Sequence, residues 1–322
     1  MRAESSATAP NTIAVTPADG RPRPSAPVSA PATAPARRGT LLALLGVVTF
    51  SLTFPSTAWG LESFGPWSLV ALRSLLAAVL SGGFLLAARV RLPAREHWAG
   101  LAVVAGGVVV GFPLLTTLAL RTSTTSHAAV VVGLLPLTTA VFSSLRTGAR
   151  PPRAFWAAAV AGAAVVIAFT VAQSGGALSA GDLFLFGALL VCAAGYTEGG
   201  RLAKVMPGWQ VTGWALILTL PLNLAGAAVA LAYEPVRLGV HGVVGLVWVA
   251  AGSTFLGLYV WYRGMAEIGV ARASQLQLAQ PLLTLFWSFF LLGEEVSAAA
   301  PAAAVAVLVC IALTQRATRT RS

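Results

Sequence analysis

Long apolar stretches, separated by short polar loops, dominate the chain from Leu41 almost to its C-terminal end. A helix needs about 20 apolar residues to cross the hydrocarbon core of a bilayer. The pattern therefore predicts an all-α integral membrane protein with ten transmembrane helices. The predicted helices cover residues 40–59, 66–88, 98–119, 124–145, 154–173, 182–200, 210–232, 241–262, 271–292 and 297–315.

One motif occurs twice among these stretches. The sequence Pro-Leu-x-Thr-x-x-x-Ser begins at Pro136 in the fourth predicted helix and at Pro281 in the ninth. Each copy lies in the fourth helix of a group of five. Because five is odd, the second group must enter the membrane from the opposite face. The pattern predicts a 5+5 inverted repeat, with one half at 40–175 and the other at 176–316, an arrangement typical of carriers with a central site.

The two chain ends lack apolar periodicity. Residues 1–39 are rich in Ala, Pro, Ser, Thr and Arg, which predicts a disordered cytoplasmic tail. This segment does not resemble a signal peptide, because no apolar core appears before Leu41. Residues 317–322 are expected to form a short cytoplasmic C-terminal tail.

Composition agrees with a lipid environment and argues against a nucleic-acid partner. The 322 residues are 57% hydrophobic and 10% charged, whereas soluble domains carry about 25% charged residues. The net charge is +11, but the basic residues are spread over short loops and include one lysine, Lys204. The chain has no GxxxxGK[ST] motif, which excludes a self-contained P-loop ATPase.

The distribution of basic residues predicts the orientation. If the N-terminus is cytoplasmic, 18 of the 21 Arg and Lys residues lie inside, while Arg121 and Arg237 lie outside and Arg73 lies within a helix. This bias predicts a multi-pass protein of the plasma membrane with both termini in the cytoplasm. The opposite loops hold acidic residues: Glu62, Asp182, Glu234, Glu294 and Glu295.

The repeated prolines are the first candidates for a functional site. Pro136 and Pro281 fall near the middle of their helices, where each removes a backbone donor and frees the carbonyl four residues before it. Exposed backbone is tolerated at that depth only against protein or a wet cavity. The two helices could therefore be kinked and line a central pathway, with contributions from helices 2, 6 and 7. Alternatively, the kinks only shape the packing.

Side-chain amides within apolar helices are the second group of candidates. Gln277 and Gln280 are three residues apart on one helix face, and Asn223 lies near the middle of helix 7. An amide both donates and accepts hydrogen bonds, which suits a polar solute. The alternative for all three is hydrogen bonding between helices, which we favour for Gln275.

Three further residues of helices 2 and 6 could act on a solute or an ion. Arg73 could bind a substrate carboxylate, or it could snorkel to the surface or pair with Glu62 or Asp182. Glu198 could relay protons, or it could form an ordinary i,i+3 pair with Arg201. Tyr196 is a core or interface aromatic that could also touch the solute.

Nothing in the sequence predicts a cofactor, a metal site or a catalytic centre. Cys192 and Cys310 lie within apolar stretches, where packed thiols are expected. The three histidines His97, His127 and His241 are far apart in sequence and fall at helix ends or in loops. They lack the spacing of metal ligands or a catalytic triad.

Several motifs resemble those of the EamA-type drug/metabolite transporters. The pattern Ala-x(7)-Pro-Leu occurs at 128–137 and 273–282, Leu-Arg occurs at 72–73, and Leu-Gly-Glu closes helix 9 at 292–294. The stretches GYTEGGR at 195–201 and GWQV at 208–211 resemble one bacterial branch. The likeness covers about residues 40–316. One departure is that the first repeat ends Leu-Arg-Thr-Gly at 145–148, where the family often has Gly-Glu.

This resemblance implies a secondary transporter that exports amino acids, drugs or related metabolites by exchange or ion coupling. We expect the chain to move a small polar metabolite outward by alternating access, and we do not expect it to be an enzyme. A channel would need rings of charge or carbonyl filters, and a sensor or scaffold normally brings a soluble output domain. The sequence leaves the solute, the coupling ion and a homodimeric state open.

Overall fold

The computed structural model describes residues 34–148, 150–173, 176, 178–268 and 276–319, and every regular element in these ranges is helical. The elements up to the middle of the chain are α1 (Ala34–Ser51), α2 (Thr53–Ser63), α3 (Pro66–Ala87), a short 3-10 turn (Arg95–His97), α4 (Trp98–Val104), a π-helical segment (Ala105–Gly111), α5 (Phe112–Ala119), α6 (Thr125–Val132), α7 (Leu135–Thr147) and α8 (Arg153–Gln173).

The remaining elements repeat this mixture of long, broken and π-helical segments. They are α9 (Ala180–Leu202), α10 (Gly208–Leu218), α11 (Leu220–Tyr233), α12 (Val240–Val247), a second π-helical segment (Trp248–Gly257), α13 (Leu258–Ile268), α14 (Gln280–Leu292) and α15 (Ala299–Arg319).

The described helices account for most of the predicted spans. Seven are long and apolar enough to cross a membrane, and an eighth span is formed if α10 and α11, which meet at a 50° bend, count as one. Two shorter apolar helices occupy the positions of the ninth and tenth predicted spans: Gln280–Leu292 and Ala299–Leu313. An all-helical membrane architecture is therefore present, and the number ten stays a prediction.

Helical structure extends into both segments that were predicted to be tails. Helix α1 begins at Ala34, within the segment predicted to be disordered, and residues 317–319 are helical as the end of α15. At the N-terminal side the helix gains support from α13, because the Arg38 guanidinium lies 3.8 Å from the Glu267 carboxylate and Gly39 packs directly on Glu267. Composition alone could not reveal that partner.

The helices break just before both repeated prolines. Helix α6 ends at Val132 and α7 begins at Leu135, while a turn at 278–279 precedes α14. Pro136 and Pro281 each occupy one of the first two positions of the new helix, where a missing N–H removes no intrahelical bond. Gln275 and the rest of 269–275 lie outside the described residues.

Helix α6 is the centre of the packing. All eight of its residues are buried, and it contacts α2, α8, α9, α14 and α15. Around it α5 packs on α9, α11 on α3, and α8 on α15. The outer faces instead carry exposed leucines and valines such as Leu86 and Val160, as expected for helices that face lipid.

The loops divide between two ends of the bundle. We call the acidic end the loops and helix ends that hold Glu62, Asp182, Glu234, Glu294 and Glu295. We call the basic end those that hold Arg89, Arg91, Arg95, Arg146, Arg153, Arg201 and Lys204. Glu234 shows how the acidic end is built: its carboxylate accepts bonds from the Ser68 amide and hydroxyl, both at 2.7 Å, and so caps α3.

Candidate solute-binding site

Two adjoining cavities lie between the helices, and six of the eight predicted site residues line them. We call the smaller, of about 110 Å³, the arginine compartment, and the larger, of about 280 Å³, the proline compartment. Arg73 lines the first, Pro136 and Pro281 line the second, and Tyr196, Gln277 and Gln280 line both. The residues shared by both compartments, which show that they adjoin, are Phe54, Val132, Leu135, Tyr196, Gln277 and Gln280.

Arg73 brings a buried positive charge to the arginine compartment. The residue is 7% exposed, and its Nη2 donates to the Thr254 hydroxyl at 3.0 Å. Among the described residues, no carboxylate lies within ion-pair distance of the guanidinium. A guanidinium has five N–H donors and binds a carboxylate through two of them. The site is therefore suited to an anionic group of a solute.

The second π-helical segment positions the partner of Arg73. The Thr254 hydroxyl donates to the Val249 carbonyl, five residues earlier, at 2.7 Å, and its oxygen is thereby turned toward α3. In the same segment the Ser253 hydroxyl lies 2.7 Å from the Thr53 hydroxyl of α2. π-helical segments occur often at functional sites. Here one segment supplies two of the hydroxyl groups that line the compartment.

The proline compartment has mostly apolar walls and one unused hydroxyl. Leu278, Leu308 and Ile311 contribute apolar surface. The Thr139 Oγ1 is buried there without a hydrogen-bond partner among the described residues, whereas its repeat counterpart Thr284 lies 3.0 Å from both the Gln280 and Ser51 carbonyl oxygens. An unsatisfied buried hydroxyl costs free energy, so Thr139 could accept or donate a bond to a bound solute.

Gln277 and Gln280 mark the border between the two compartments. Both lie at the break before Pro281, Gln277 ahead of the turn and Gln280 as the first residue of α14. The break in the helix therefore lies beside a cavity rather than lipid, the setting in which broken backbone is tolerated within a membrane. A solute that spans both compartments would have to pass these amides.

Two of the predicted site residues lie elsewhere. Asn223 lines neither compartment: it is buried in α11, which packs on α3, and its Nδ2 has no partner among the described residues. Asn223 lies in the first turn of α11, just after the 50° bend that separates α10 from α11, and outside the cavity lining. Glu198 also lines neither compartment.

Glu198 instead forms ion pairs at the basic end. Its carboxylate lies 2.7 Å from the Arg201 Nε, the i,i+3 pair that the sequence offered as one alternative, and 3.3 Å from the Arg146 Nη2 of α7. The ion pair of Arg73 with Glu62 or Asp182, one of the alternatives that the sequence left open, does not occur in the described part of the chain. Glu62 lies 3.5 Å from His241, and Asp182 lies 2.7 Å from His127.

Three hydroxyl residues line the compartments but were not among the predicted site residues: Thr139, Ser253 and Thr254. Thr139 belongs to the repeated motif, so its place beside Pro136 was a usable indication. The sequence holds no such indication for Ser253 and Thr254, because hydroxyl residues are common in membrane helices, where they bond to backbone carbonyls. Only the π-helical geometry distinguishes these two.

Comparison with known proteins agrees with this architecture. The sequence model of the EamA-like transporter family matches twice, at residues 37–171 and 179–316. The chain is 41% identical over 278 residues to "Uncharacterized transporter YdeK" of Bacillus subtilis (strain 168), covering 86% of this chain and 97% of that protein. A solved structure described as "Crystal structure of protein" superposes with a TM-score of 0.62 at 22% identity, covering 88% of this chain and 99% of that one, and so shares its fold. The chain is thus a multi-pass membrane protein that belongs to the EamA-like transporter family.

Proposed function

We propose that the chain is a secondary transporter of the plasma membrane that exports a small carboxylate-bearing metabolite, such as an amino acid or a related compound. The observation that carries this proposal is Arg73, a buried cation with a hydroxyl partner and no carboxylate partner among the described residues, facing a cavity. Leaving such a charge uncompensated is costly. A solute carboxylate would supply the missing counter-charge.

The remaining lining residues indicate how the rest of the solute would be held. Gln277 and Gln280 offer donors and acceptors at the border, which suits an amino or amide group. The apolar walls of the proline compartment, of about 280 Å³, would take a side chain. Thr139 adds a hydroxyl to that compartment whose oxygen has no hydrogen-bond partner among the described residues.

Alternating access is supported by internal similarity between the two halves. The prolines at 136 and 281 are 145 residues apart, and the same spacing relates Gly148 and Gly293, which close their helices with φ of 67° and 64°. The π-helical segments 105–111 and 248–257 also correspond under this shift. We infer a 5+5 inverted repeat that opens by bending at the breaks before the two prolines.

Orientation follows from the charges of the loops. From the positive-inside rule we infer that the basic end lies in the cytoplasm, together with both termini, and that the acidic end lies outside. Export would then carry the solute from the basic end to the acidic end. Among the described residues, neither compartment is lined by a ring of like charge, one of the features that a channel could use.

The test is transport by the full chain reconstituted in liposomes, with a panel of radiolabelled amino acids. For the best substrate, Arg73→Gln should lower the transport efficiency about tenfold to a hundredfold, the range expected from losing a bond to a charged group. Arg121→Gln, which changes an exposed arginine in a loop, is the matched control and should leave transport unchanged.

A second arm compares each acid with its carboxamide as a competitor. The wild-type protein should discriminate against the carboxamide, and Arg73→Gln should discriminate much less. Equal competition by acid and carboxamide in the wild type, or full transport by a folded Arg73→Gln variant, would remove Arg73 from the solute site.

A further inference from the structure

The acidic end contains a buried pair of titratable side chains that the solute site does not use. His127, in the first turn of α6, lies with its Nε2 2.7 Å from the Asp182 Oδ1 in the first turn of α9. Both side chains are buried, and Phe169 stacks on the imidazole with ring centroids 5.3 Å apart. The second Asp182 oxygen accepts from the Ser179 amide at 2.7 Å. The pair therefore ties α6 to α9 at a fixed point.

A polar cavity gives this pair a route to the surface. Its volume is about 300 Å³, and His127 forms part of its lining together with Ser126, Gln173 and Glu295. It shares no lining residue with either compartment of the solute site. A proton from the acidic side can thus reach the imidazole without entering the solute pathway.

Glu294 ties the same helix start to the end of α14. Its carboxylate accepts from the Thr125 amide at 2.8 Å, the Ser126 amide at 3.0 Å and the Ser126 hydroxyl at 2.7 Å. We call these three bonds the Glu294 clasp. Because α6 and α14 both line the proline compartment, the clasp holds the two broken helices together at the acidic end.

The charges around His127 are mainly negative. Of the elements that pack on α6, α9 brings Asp182, and the segment after α14 brings Glu294 and Glu295. Helix α2 brings Glu62, which lies 3.5 Å from His241. Phe169 of α8 stacks on the imidazole, and Gln173 of α8 and Ala300 of α15 line the polar cavity.

The charged residues left on these elements are remote from His127 or exposed. Arg153 of α8 and both Glu198 and Arg201 of α9 lie at the far ends of their helices, and α15 has no charged residue before Arg316. Arg121, in the loop before α6, is exposed and does not line the polar cavity. A protonated imidazole is therefore the positive charge among these carboxylates.

We propose that His127 and Asp182 form a proton-binding switch, reached from the acidic end, that keeps this end closed while the imidazole is protonated. Histidine is the side chain that ordinarily changes charge between about pH 5 and 8. When the imidazole is protonated, a charge-assisted hydrogen bond to Asp182 joins α6 to α9. The positive charge of the imidazole also offsets the negative charge of the Glu294 carboxylate. The inference rests on the proposed function only in treating the acidic end as one mouth of the carrier.

The sign of the pH effect follows from linkage. When the imidazole loses its proton, Asp182 and Glu294 both remain negative near the start of α6, so the tie to α9 and the Glu294 clasp both weaken. The closed state therefore binds the proton more tightly than the open state, and by reciprocity a lower pH favours the closed state. Raising the pH on the acidic side should open that end.

The experiment measures opening directly and needs no solute. Cys192 and Cys310 are replaced by Ala, and spin labels are attached to Thr122→Cys, before α6, and Ala298→Cys, after α14, in the full chain reconstituted in liposomes. Distances between the two labels are measured by double electron–electron resonance at pH 5.5 and pH 8. The population with the longer distance, which represents the open acidic end, should be about tenfold larger at pH 8. His127→Gln and Asp182→Asn should remove this pH dependence.

Two controls separate the switch from histidine chemistry in general and from the solute site. His241→Gln replaces the more exposed histidine beside Glu62 at the same end and should keep the full pH response. Arg73→Gln should also keep it, even though it loses transport, so failure of the solute site and failure of the switch are distinguishable. Identical wild-type distances at both pH values overturn the switch, and so does a pH response that survives in folded His127→Gln or disappears in His241→Gln.

Discussion

The broken helix formed by α6 and α7 is tied to one neighbour, α9, at both of its ends, but the two ties are built differently. At the acidic end His127 and Asp182 are 2.7 Å apart, and the Asp182 side chain is only 1% exposed. At the basic end Arg146 and Glu198 are 3.3 Å apart, the Arg146 side chain is 67% exposed, and Glu198 is shared with Arg201. One tie is buried and short, and the other faces water.

This difference indicates which end needs a change of charge in order to move. An exposed ion pair contributes about 0–1 kcal/mol, because water replaces the partner easily. Separating a buried pair leaves uncompensated charge and costs several kcal/mol. The basic end can therefore separate by exchanging its ion pair for water, whereas the acidic end is held until the charge of its pair changes.

A second contrast lies just beyond the glycines that close the two broken helices. Gly148 and Gly293 adopt the same left-handed conformation, which a side chain would strain. The residue after Gly293 is Glu294, which forms the Glu294 clasp on α6. The residue after Gly148 is Ala149, which lies outside the described residues and carries no carboxylate. The sequence thus provides a carboxylate clasp for one end of the repeat pair only.

The largest expected effect comes from removing the buried acid. Asp182→Ala should lower the free energy of unfolding by about 3–5 kcal/mol, because it breaks a buried pair and removes the carboxylate that accepts from the Ser179 amide and hydroxyl in the capping box of α9. Thermal unfolding in detergent, followed by tryptophan fluorescence at pH 6, measures the change. In a His127→Ala background the same substitution should cost clearly less, and equal costs in the two backgrounds would show that the pair is not coupled.

A smaller effect is expected from weakening the clasp. Glu294→Gln should lower the free energy of unfolding by about 1.5–3 kcal/mol, because the two backbone amides donate to different carboxylate oxygens, whereas a neutral carboxamide has a single oxygen that can accept. The control is Glu295→Gln, an exposed neighbour that should change stability by no more than about 0.5 kcal/mol. If both variants melt alike, the clasp adds nothing beyond general surface charge.

Much of the fold and several of the cavity-lining residues could be predicted, because polar groups are costly in hydrocarbon and therefore lie against protein or a cavity. Arg73, Gln277 and Gln280 are costly against hydrocarbon, and all three line the central compartments. The breaks before Pro136 and Pro281 follow from the missing proline N–H. In each case one residue and its depth were sufficient, without knowledge of any neighbour.

What could not be predicted depends on which helices meet. The sequence contains the i,i+3 pair of Glu198 and Arg201 but does not show that Arg146 of α7 reaches the same carboxylate. In the sequence His127 is an isolated histidine at a helix end, because its partner Asp182 is 55 residues further along the chain. The π-helical geometry that turns Thr254 toward Arg73 likewise arises from packing.

The smallest expected effect belongs to the exposed tie. Arg146→Ala should change the free energy of unfolding by at most about 1 kcal/mol, because Arg201 still pairs with Glu198 and water replaces the lost guanidinium. Raising the salt concentration should reduce even this difference, since exposed pairs are screened. The control is Arg150→Ala, an exposed arginine in the loop after α7. A loss of 3 kcal/mol or more in Arg146→Ala, of the order expected for the buried pair, would mean that the two ends of the broken helix are held alike. In that case the asymmetry from which a proton-controlled acidic end was inferred would no longer favour one mouth over the other.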